Sequence, residues 1–431
     1  MQKFTRTLRG SVAAAALLAV IGASAAHAGG FALREQSAYG QGMSFAGVAA
    51  GGSLSSMFWN PATLSAVMGF QSETVATYIA PTSDVRITTP GVLAQSQGDV
   101  GENAILPSSY YGYRLNDHIV LGLGINAPFG LATKYPLNSA LRGTVVPPGV
   151  NIAFAGTTEV FTMSANPAIA YQFNEYITVA LGAVLQYADV RLTDQFLPGL
   201  GVSALDGADD FAFGLTAGIQ VKPMEGTEIG LGYRSRINHE IDGPLRTAAG
   251  TFQVKGDGFN TPDTVTLGIR QRITDAFRLT AGVEWANWSH FKAVDLTGAP
   301  VPVSLGFNYN DSWFFALGGE YDFNEALTVR AGVARELAPI DDANRSFRLP
   351  DNDRWWLSAG ASYKATERFS FDVGYSYIFA DDTNILTAAA GGPAANSIFG
   401  GTSDADVHVF TAALKMKFGG PRHEAPVMAN Y

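Results

Sequence analysis

The side chains able to do covalent or metal chemistry are few, and their spacing does not suit it. Beyond residue 28 the histidines are His118, His239, His290, His408 and His423, none at a metal-ligand spacing, and no Gly-x-Ser-x-Gly elbow occurs. Cysteine is absent, which removes disulfides and thiolate sites. The chain therefore predicts no catalytic residue, no metal and no cofactor. What remains is charge pairing. Arg234, Arg270, Arg278, Arg330, Lys364 and Lys415 fall on the same face of their segments as Glu228, Glu284, Glu320 and Asp372, which suits mutual salt bridges on a wet surface.

The segments carrying these charges read as strands. Six times an acid in a short polar turn is followed seven residues later by glycine: Asp117/Gly124, Glu175/Gly182, Glu225/Gly232, Asp275/Gly282, Glu325/Gly332 and Glu367/Gly374. After each acid the even offsets are almost all apolar, as in Ile119, Leu121, Leu123 and Ile125, or Phe369, Phe371, Val373 and Tyr375. The odd offsets are small, polar or charged. Successive side chains of a strand point to opposite faces, so each strand has one greasy face and one wet face. A soluble sandwich would bury the greasy face, whereas an outer-membrane barrel turns it to lipid and lines its lumen with the wet one.

Three features select the membrane. Lys3, Arg6 and Arg9 precede an apolar run from Val12 to Ile21 and then Ala26-His27-Ala28, the pattern of a secretory leader spanning 1–28. No later stretch has the roughly 18 apolar residues that a spanning helix needs. Charged residues are only 15%, against about 25% in ordinary soluble domains. The net charge of −10 becomes more acidic still once the leader is lost, which argues against nucleic acid as a partner. Finally, aromatics gather beside the turns, at Tyr113, Tyr171, Phe173, Tyr321, Phe323 and Tyr363, as in the interfacial girdle of a barrel.

The alternation predicts an all-β fold, a 14-stranded antiparallel transmembrane β-barrel over residues 70–418, with strands near 70–86, 100–116, 118–132, 153–173, 176–192, 208–222, 226–241, 255–272, 276–292, 309–323, 326–337, 351–365, 368–380 and 405–418. The number is even, as single-chain bacterial barrels require. Six tight turns alternate with longer connections such as 133–152, 193–207, 338–350 and 381–403. Short turns belong in the periplasm, which puts both termini there. Residues 29–69 have no place in the wall, and their small residues with short apolar pieces suit an N-terminal hatch, or plug, inside the lumen. A tail, 419–431, follows, so that either Phe418 or Tyr431 could be the assembly signal.

At this point the chain resembles a family. Glu35-Gln36-Ser37, Gly40-x-Gly42, Ala46-Gly47 and Asn60-Pro61-Ala62 are similar to the hatch of the FadL-type long-chain fatty acid transporters, which include channels for toluene and related hydrocarbons. The resemblance continues in Gly130-Leu131-Ala132-Thr133-Lys134-Tyr135, Asn166-Pro167-Ala168, Leu349-Pro350-Asp351 and Trp355-Trp356. Two departures are Thr63, where the family often has glycine, and Gly51-Gly52-Ser53 in place of acidic residues.

The resemblance implies uptake of hydrophobic molecules across a Gram-negative outer membrane, foremost long-chain fatty acids and alternatively toluene- or xylene-like hydrocarbons. Ligand would be captured at extracellular loops, pass to an internal apolar site and leave sideways near the third strand. A porin for small polar solutes is the remaining alternative. Partners on this reading are the ligand, outer-membrane lipid and lipopolysaccharide, and the barrel assembly machinery, with the chain acting as a monomer. Asn60, Pro61 and Ala62 would form the plug motif. Gly122 and Gly124 lack side chains and Pro128 lacks an N–H, so strand pairing should weaken there, unless Pro128 already lies in the loop. Arg142, Arg234 and Arg330 are candidates for meeting a ligand carboxylate. The glycines at offset seven face the lumen, where relief of curvature is the simplest reason for them.

Overall fold

The computed structural model describes residues 29–88, 95–137, 139, 142–146, 150–153, 156–197, 200–388 and 397–419. The expected leader and all but the first residue of the expected tail lie outside these. Fourteen antiparallel strands form the wall: β1 (Phe70–Ile87), β2 (Ala104–Arg114), β3 (Ile119–Asn126, then Gly130–Lys134), β4 (Thr157–Gln172), β5 (Ile177–Leu197), β6 (Gly201–Met224) and β7 (Thr227–Arg234, then Asn238–Thr247). They continue as β8 (Gly250–Asn260, then Thr264–Arg272), β9 (Phe277–Ala286, then Ala293–Thr297), β10 (Val303–Gly306, then Ser312–Asp322), β11 (Leu327–Leu337), β12 (Arg354–Lys364), β13 (Phe369–Ala380, then Thr383–Ala388) and β14 (Ser397–Phe418). β14 pairs with β1 from Phe70↔Phe418 to Ile87↔Gly401, which closes the sheet. Closure joins the first and last strands, so that neither is left as a free edge to lipid.

The alternation read from sequence is realised in the wall. On β5, Ile177, Leu181 and Leu185 are exposed on the outer face, while Thr178, Ala180 and Val184 between them are buried on the inner one. The short turns close through the residue before the acid. Asn116 Oδ1 accepts from the amides of His118 and Ile119, Asn174 Oδ1 from Tyr176 and Ile177, and Asn324 Oδ1 from Ala326 and Leu327. These are Asx turns, and the acids that mark the cadence are exposed, Glu225 pairing with Arg272 and Glu367 with Lys364.

The long-loop end differs from expectation. The described residues of segments 193–207 and 381–403, expected as loops, are largely strand, because β5–β6 and β13–β14 run on as ladders. Residues 142–146 and 150–153 form a separate two-stranded ribbon. The expected continuous third strand is broken between Asn126 and Gly130.

Nearly every residue from Gly29 to Leu64 is buried. The segment folds as a helical turn, α1 (Ala38–Gln41), capped by Ser37 Oγ on Gly40 N, and three short 3₁₀ turns. The last begins at Asn60-Pro61. Asn60 Oδ1 accepts from Ala62 N at 3.0 Å, while its Nδ2 donates to the carbonyls of Ala49 at 2.7 Å and of Ile219 on β6 at 3.0 Å. Proline at the first helical position lacks only an N–H that would be unsatisfied there anyway. Thr63 donates to Asn60 O at 2.8 Å, giving the hydroxyl at this departure from the family pattern a local partner.

Curvature does not account for most of the repeated glycines. A Cβ at Gly232 would overlap the Trp59 carbonyl, one at Gly332 the Met43 carbonyl, and one at Gly374 would sit 2.8 Å from the Ala38 carbonyl. The lumen face is stripped of side chains where the backbone of segment 29–69 lies against it. Gly332→Leu is accordingly expected to weaken docking of the segment by about 1–3 kcal/mol. Trypsin should then cut after Arg34 faster while the barrel keeps its heat-modifiable mobility in electrophoresis; unchanged cutting would contradict the packing account.

Candidate transport route

The break in β3 opens one side of the wall. β3 pairs with β2 only from Arg114↔Val120 to Ser109↔Ile125, and contact resumes at the isolated bridge Gly101↔Thr133. Between them Ala104–Ser108 of β2 have no partner on β3. The other edge stays joined, since β4 pairs with both pieces of β3 and Thr162 Oγ1 bonds the amide of Phe129 across the break. Pro128 sits at the centre, where its missing N–H and fixed φ suit interruption of a ladder.

Segment 29–69 stops this gap from the inside. Leu33 N donates to Pro128 O at 2.8 Å and Gly130 N to Phe31 O at 2.9 Å, so Ala32 and Phe129 form an antiparallel bridge. Gln36 then ties both lips together. Its Nε2 donates to Ala127 O at 2.8 Å, its Oε1 accepts from Ser108 Oγ at 2.7 Å, and its carbonyl accepts from Tyr110 Oη at 3.0 Å. On the β3 side, backbone groups of Ala127, Pro128 and Gly130 that an unbroken ladder would satisfy are thus met by the segment's backbone and one amide side chain, while on the β2 side Gln36 takes the hydroxyls of Ser108 and Tyr110.

Two cavities meet at this partition. The outer one, of about 50 Å³, is lined by Phe31, Leu131, Phe259, Phe291 and Phe307, with Arg348 as its cation. Arg348 lies in the loop after β11, where Thr133 Oγ1 and Tyr135 Oη hold the carbonyls of Arg348 and Phe347 at 3.0 and 2.8 Å. Burial pushes its guanidinium down to about 10. The inner cavity, about 50 Å³, is bounded by Leu33, Pro128 and Phe129 together with Arg34, Arg234 and Glu284. It lies directly behind the gap.

Of the candidate arginines, Arg234 faces the inner cavity. It is buried over the Phe58 ring at 4.5 Å, bonds Phe58 O at 3.3 Å, and leaves Nη1 without a hydrogen-bond partner among the described residues. Arg330 is engaged by Glu320 at 3.1 Å and by Ser362. Arg142 lies in the separate ribbon, away from the barrel sheet. Glu320, almost fully buried, also takes Arg270 at 2.9 Å, Arg278 at 3.5 Å and the hydroxyl of Tyr39 at 2.8 Å, so the lumen charges anchor the segment as well as one another. Gly122 packs on Leu64 of the segment, and Gly124 on Tyr110. Sequence reasoning missed Gln36 and Arg348. Both stand inside or beside the resembling motifs, Glu35-Gln36-Ser37 and Leu349-Pro350-Asp351, which was the available signal.

A family model described as outer membrane protein transport protein (OMPP1/FadL/TodX) matches residues 19–418. The chain is 26% identical to the long-chain fatty acid transport protein of Salmonella typhi, over 88% of this chain and 94% of that one. Among solved structures it superposes on a Pseudomonas aeruginosa FadL homologue with a TM-score of 0.79, at 21% identity, covering 91% of this chain and all of that one. The toluene transporter TodX of Pseudomonas putida gives 0.69 at 17% identity, over 90% and 99% of the two chains.

Glu35, next to Gln36, has both carboxylate oxygens without a hydrogen-bond partner among the described residues, and burial raises it from 4.5 to about 7. Arg34, Arg354 and Glu336 are the charges that face it. A carboxyl raised in the docked state binds its proton more tightly there than when released. The contribution of Glu35 to docking is therefore fully present below pH 4.5 and is lost as pH rises from there through about 7. Hydrogen exchange over residues 29–36 should be slower at pH 5 than at pH 8 after correction for intrinsic rates, and Glu35→Gln should remove the difference. An equal pH response in that variant would contradict the assignment.

Proposed function

The chain belongs to the OMPP1/FadL/TodX family of outer-membrane transport proteins, and from that premise we propose that it takes up long-chain fatty acids by a route that ends sideways through the gap beside β3. It is a transporter of hydrophobic compounds across the Gram-negative outer membrane, not an enzyme. On our reading the short turns and both termini face the periplasm, and segment 29–69 is the plug. The barrel assembly machinery inserts the chain, which works as a monomer among lipopolysaccharide and lipid.

The observation that carries the fatty-acid assignment is a buried arginine on the wall of an otherwise apolar cavity, Arg348 among Phe31, Leu131 and the phenylalanines of β8 to β10. A hydrocarbon offers a guanidinium no hydrogen-bond acceptor, whereas a carboxylate does. An amphiphile uses both features, its tail in the aromatic lining and its carboxylate on the guanidinium. Arg234, in the inner cavity, offers a second cation on the far side of the Phe31–Phe129 partition, where a carboxylate moving inward would next be received. The name of the Salmonella relative supports the same class.

The toluene-class reading draws on the crowd of rings at the outer cavity, where Phe291 lies 4.5 Å from Phe307 and 5.3 Å from Tyr309. Rings stack on rings, so arenes remain the competing ligand. A porin is disfavoured by the filled lumen.

Displacement of an apolar fluorophore from purified protein separates these readings. Oleate should compete well ahead of toluene, and Arg348→Met should weaken oleate by about 1.5–3 kcal/mol, the value of a hydrogen bond to a charged group, while leaving toluene unchanged. Toluene binding ahead of oleate, with no effect of the substitution, would favour the hydrocarbon channel. Large steady ion conductance in a planar bilayer would instead favour a porin.

A further inference from the structure

We propose that cutting the leader after Ala28 creates a charged group that this barrel uses internally: the α-ammonium of Gly29, paired with Glu336, locks the start of the plug in the lumen. The inference is independent of which ligand the barrel carries.

The geometry is direct. Gly29 N lies 3.0 Å from Glu336 Oε1, and Gly30 N lies 2.8 Å from Asp351 Oδ2. Both glycines are buried, and so are both carboxylates. The fit at Gly29 is close enough that a Cβ would sit 2.7 Å from Glu336 Oε1. Two backbone nitrogens at the expected cleavage point thus face two acids deep in a protein.

Charge balance gives a second, independent reason. Three carboxylates cluster here, Glu284, Glu336 and Asp351, around two guanidinium groups, Arg34 and Arg354. Arg34 contacts Glu284 at 2.8 Å and Glu336 at 3.7 Å; Arg354 contacts Glu336 at 3.5 Å and also Asp351. Arg345 bonds Asp351 only at its carbonyl oxygen, and Arg234 makes no ion pair among the described residues. By direct ion pairs the cluster is one positive charge short, although Arg234 and Arg345 also lie within electrostatic range of Glu284 and Asp351, and a buried charge without a partner is costly. Trp356 Nε1, at 3.0 Å from Glu336 Oε2, supplies a hydrogen bond but no charge.

Processing supplies the missing charge. In the sequence, Ala26-His27-Ala28 immediately precedes Gly29, the small-x-small pattern of a leader cleavage site. Hydrolysis by a leader peptidase adds water across the Ala28–Gly29 peptide bond, leaving a carboxylate on Ala28 and an amine on Gly29. An α-amine has a pKa of about 7.7–8 in the open, so it takes up a proton at neutral pH, the more so beside a carboxylate. The uncut chain offers one uncharged N–H at this point. The cut chain offers three donors and a positive charge. The lock consequently forms only in the mature protein, and it lies at the end of the strand, Phe31–Leu33, that stops the gap in the wall.

N-terminal sequencing of the purified protein should begin at Gly29 with a free amine. Two changes then probe the pair: insertion of three serines between Ala28 and Gly29, which moves the ammonium away after cleavage, and Glu336→Gln. Each should raise the rate of tryptic cutting after Arg34 by about tenfold, with heat-modifiability reporting that the barrel is intact. Combined, they should do no more than either alone, the signature of one shared interaction. Transamination of the α-amine of the unfolded wild-type chain, followed by refolding, removes the charge with no side-chain change and should reproduce the effect. A mature chain that starts elsewhere, a blocked amine, independent effects of the two changes, or an unaltered rate after transamination would each overturn the proposal.

Discussion

A membrane wall cannot leave backbone groups unpaired, because hydrocarbon offers them no substitute for a hydrogen bond. That constraint governs the region around Pro128. The wall abandons its own ladder between β2 and β3, and the deficit is met from within the lumen by the backbone of Phe31–Leu33 and the side chain of Gln36. A gap that only an internal segment can satisfy is closed when the segment is docked and open when it leaves. On the route proposed above, opening would need no moving wall strand, only displacement of this partner.

The rest of the structure holds that partner in register while leaving it removable. Glycines at Gly232, Gly332 and Gly374 let the segment backbone lie against the wall. Tyr39 reaches the Glu320 charge hub, and Asn60 bonds the β6 backbone. The anchorage nearest the gap is of a different kind: the ionisable groups Arg34, Glu35, Glu336 and Asp351, whose charge balance depends on protonation and on the state of Gly29. The outer cavity touches the same strand through Phe31. A ligand that fills this cavity competes for the surface that holds Phe31, so occupancy and release of the stopper are coupled through one residue.

Much of this was legible in the sequence, and the boundary has physical causes. Period-two alternation over long strands is a strong signal, so the strand number, the greasy outer face and the inward charges could all be read. The glycine cadence could be seen but not explained, since a missing side chain does not say what approaches it; the Trp59 and Met43 carbonyls come from far away in the chain. Pro128 marked a weak point in β3, yet the partner that replaces the ladder is some ninety residues earlier. Gln36 and Arg348 were invisible as individuals because an amide or a loop arginine acquires its role only from tertiary contacts. The motifs that carried the resemblance prove to be neighbours in space: Thr133 and Tyr135 hold the loop of Arg348, Asp351 holds Gly30, and Trp356 holds Glu336.

The central claim is that segment 31–36 must leave the gap for ligand to cross, and the absence of native cysteine permits a direct test. Ala32 and Phe129 face each other as a non-hydrogen-bonded antiparallel pair, the spacing at which a disulfide forms with little strain. In cells carrying Ala32→Cys with Phe129→Cys, uptake of labelled oleate should fall to background when the pair is oxidised and return on reduction, while each single variant takes up oleate normally. Undiminished uptake through the oxidised, tethered protein would contradict the account.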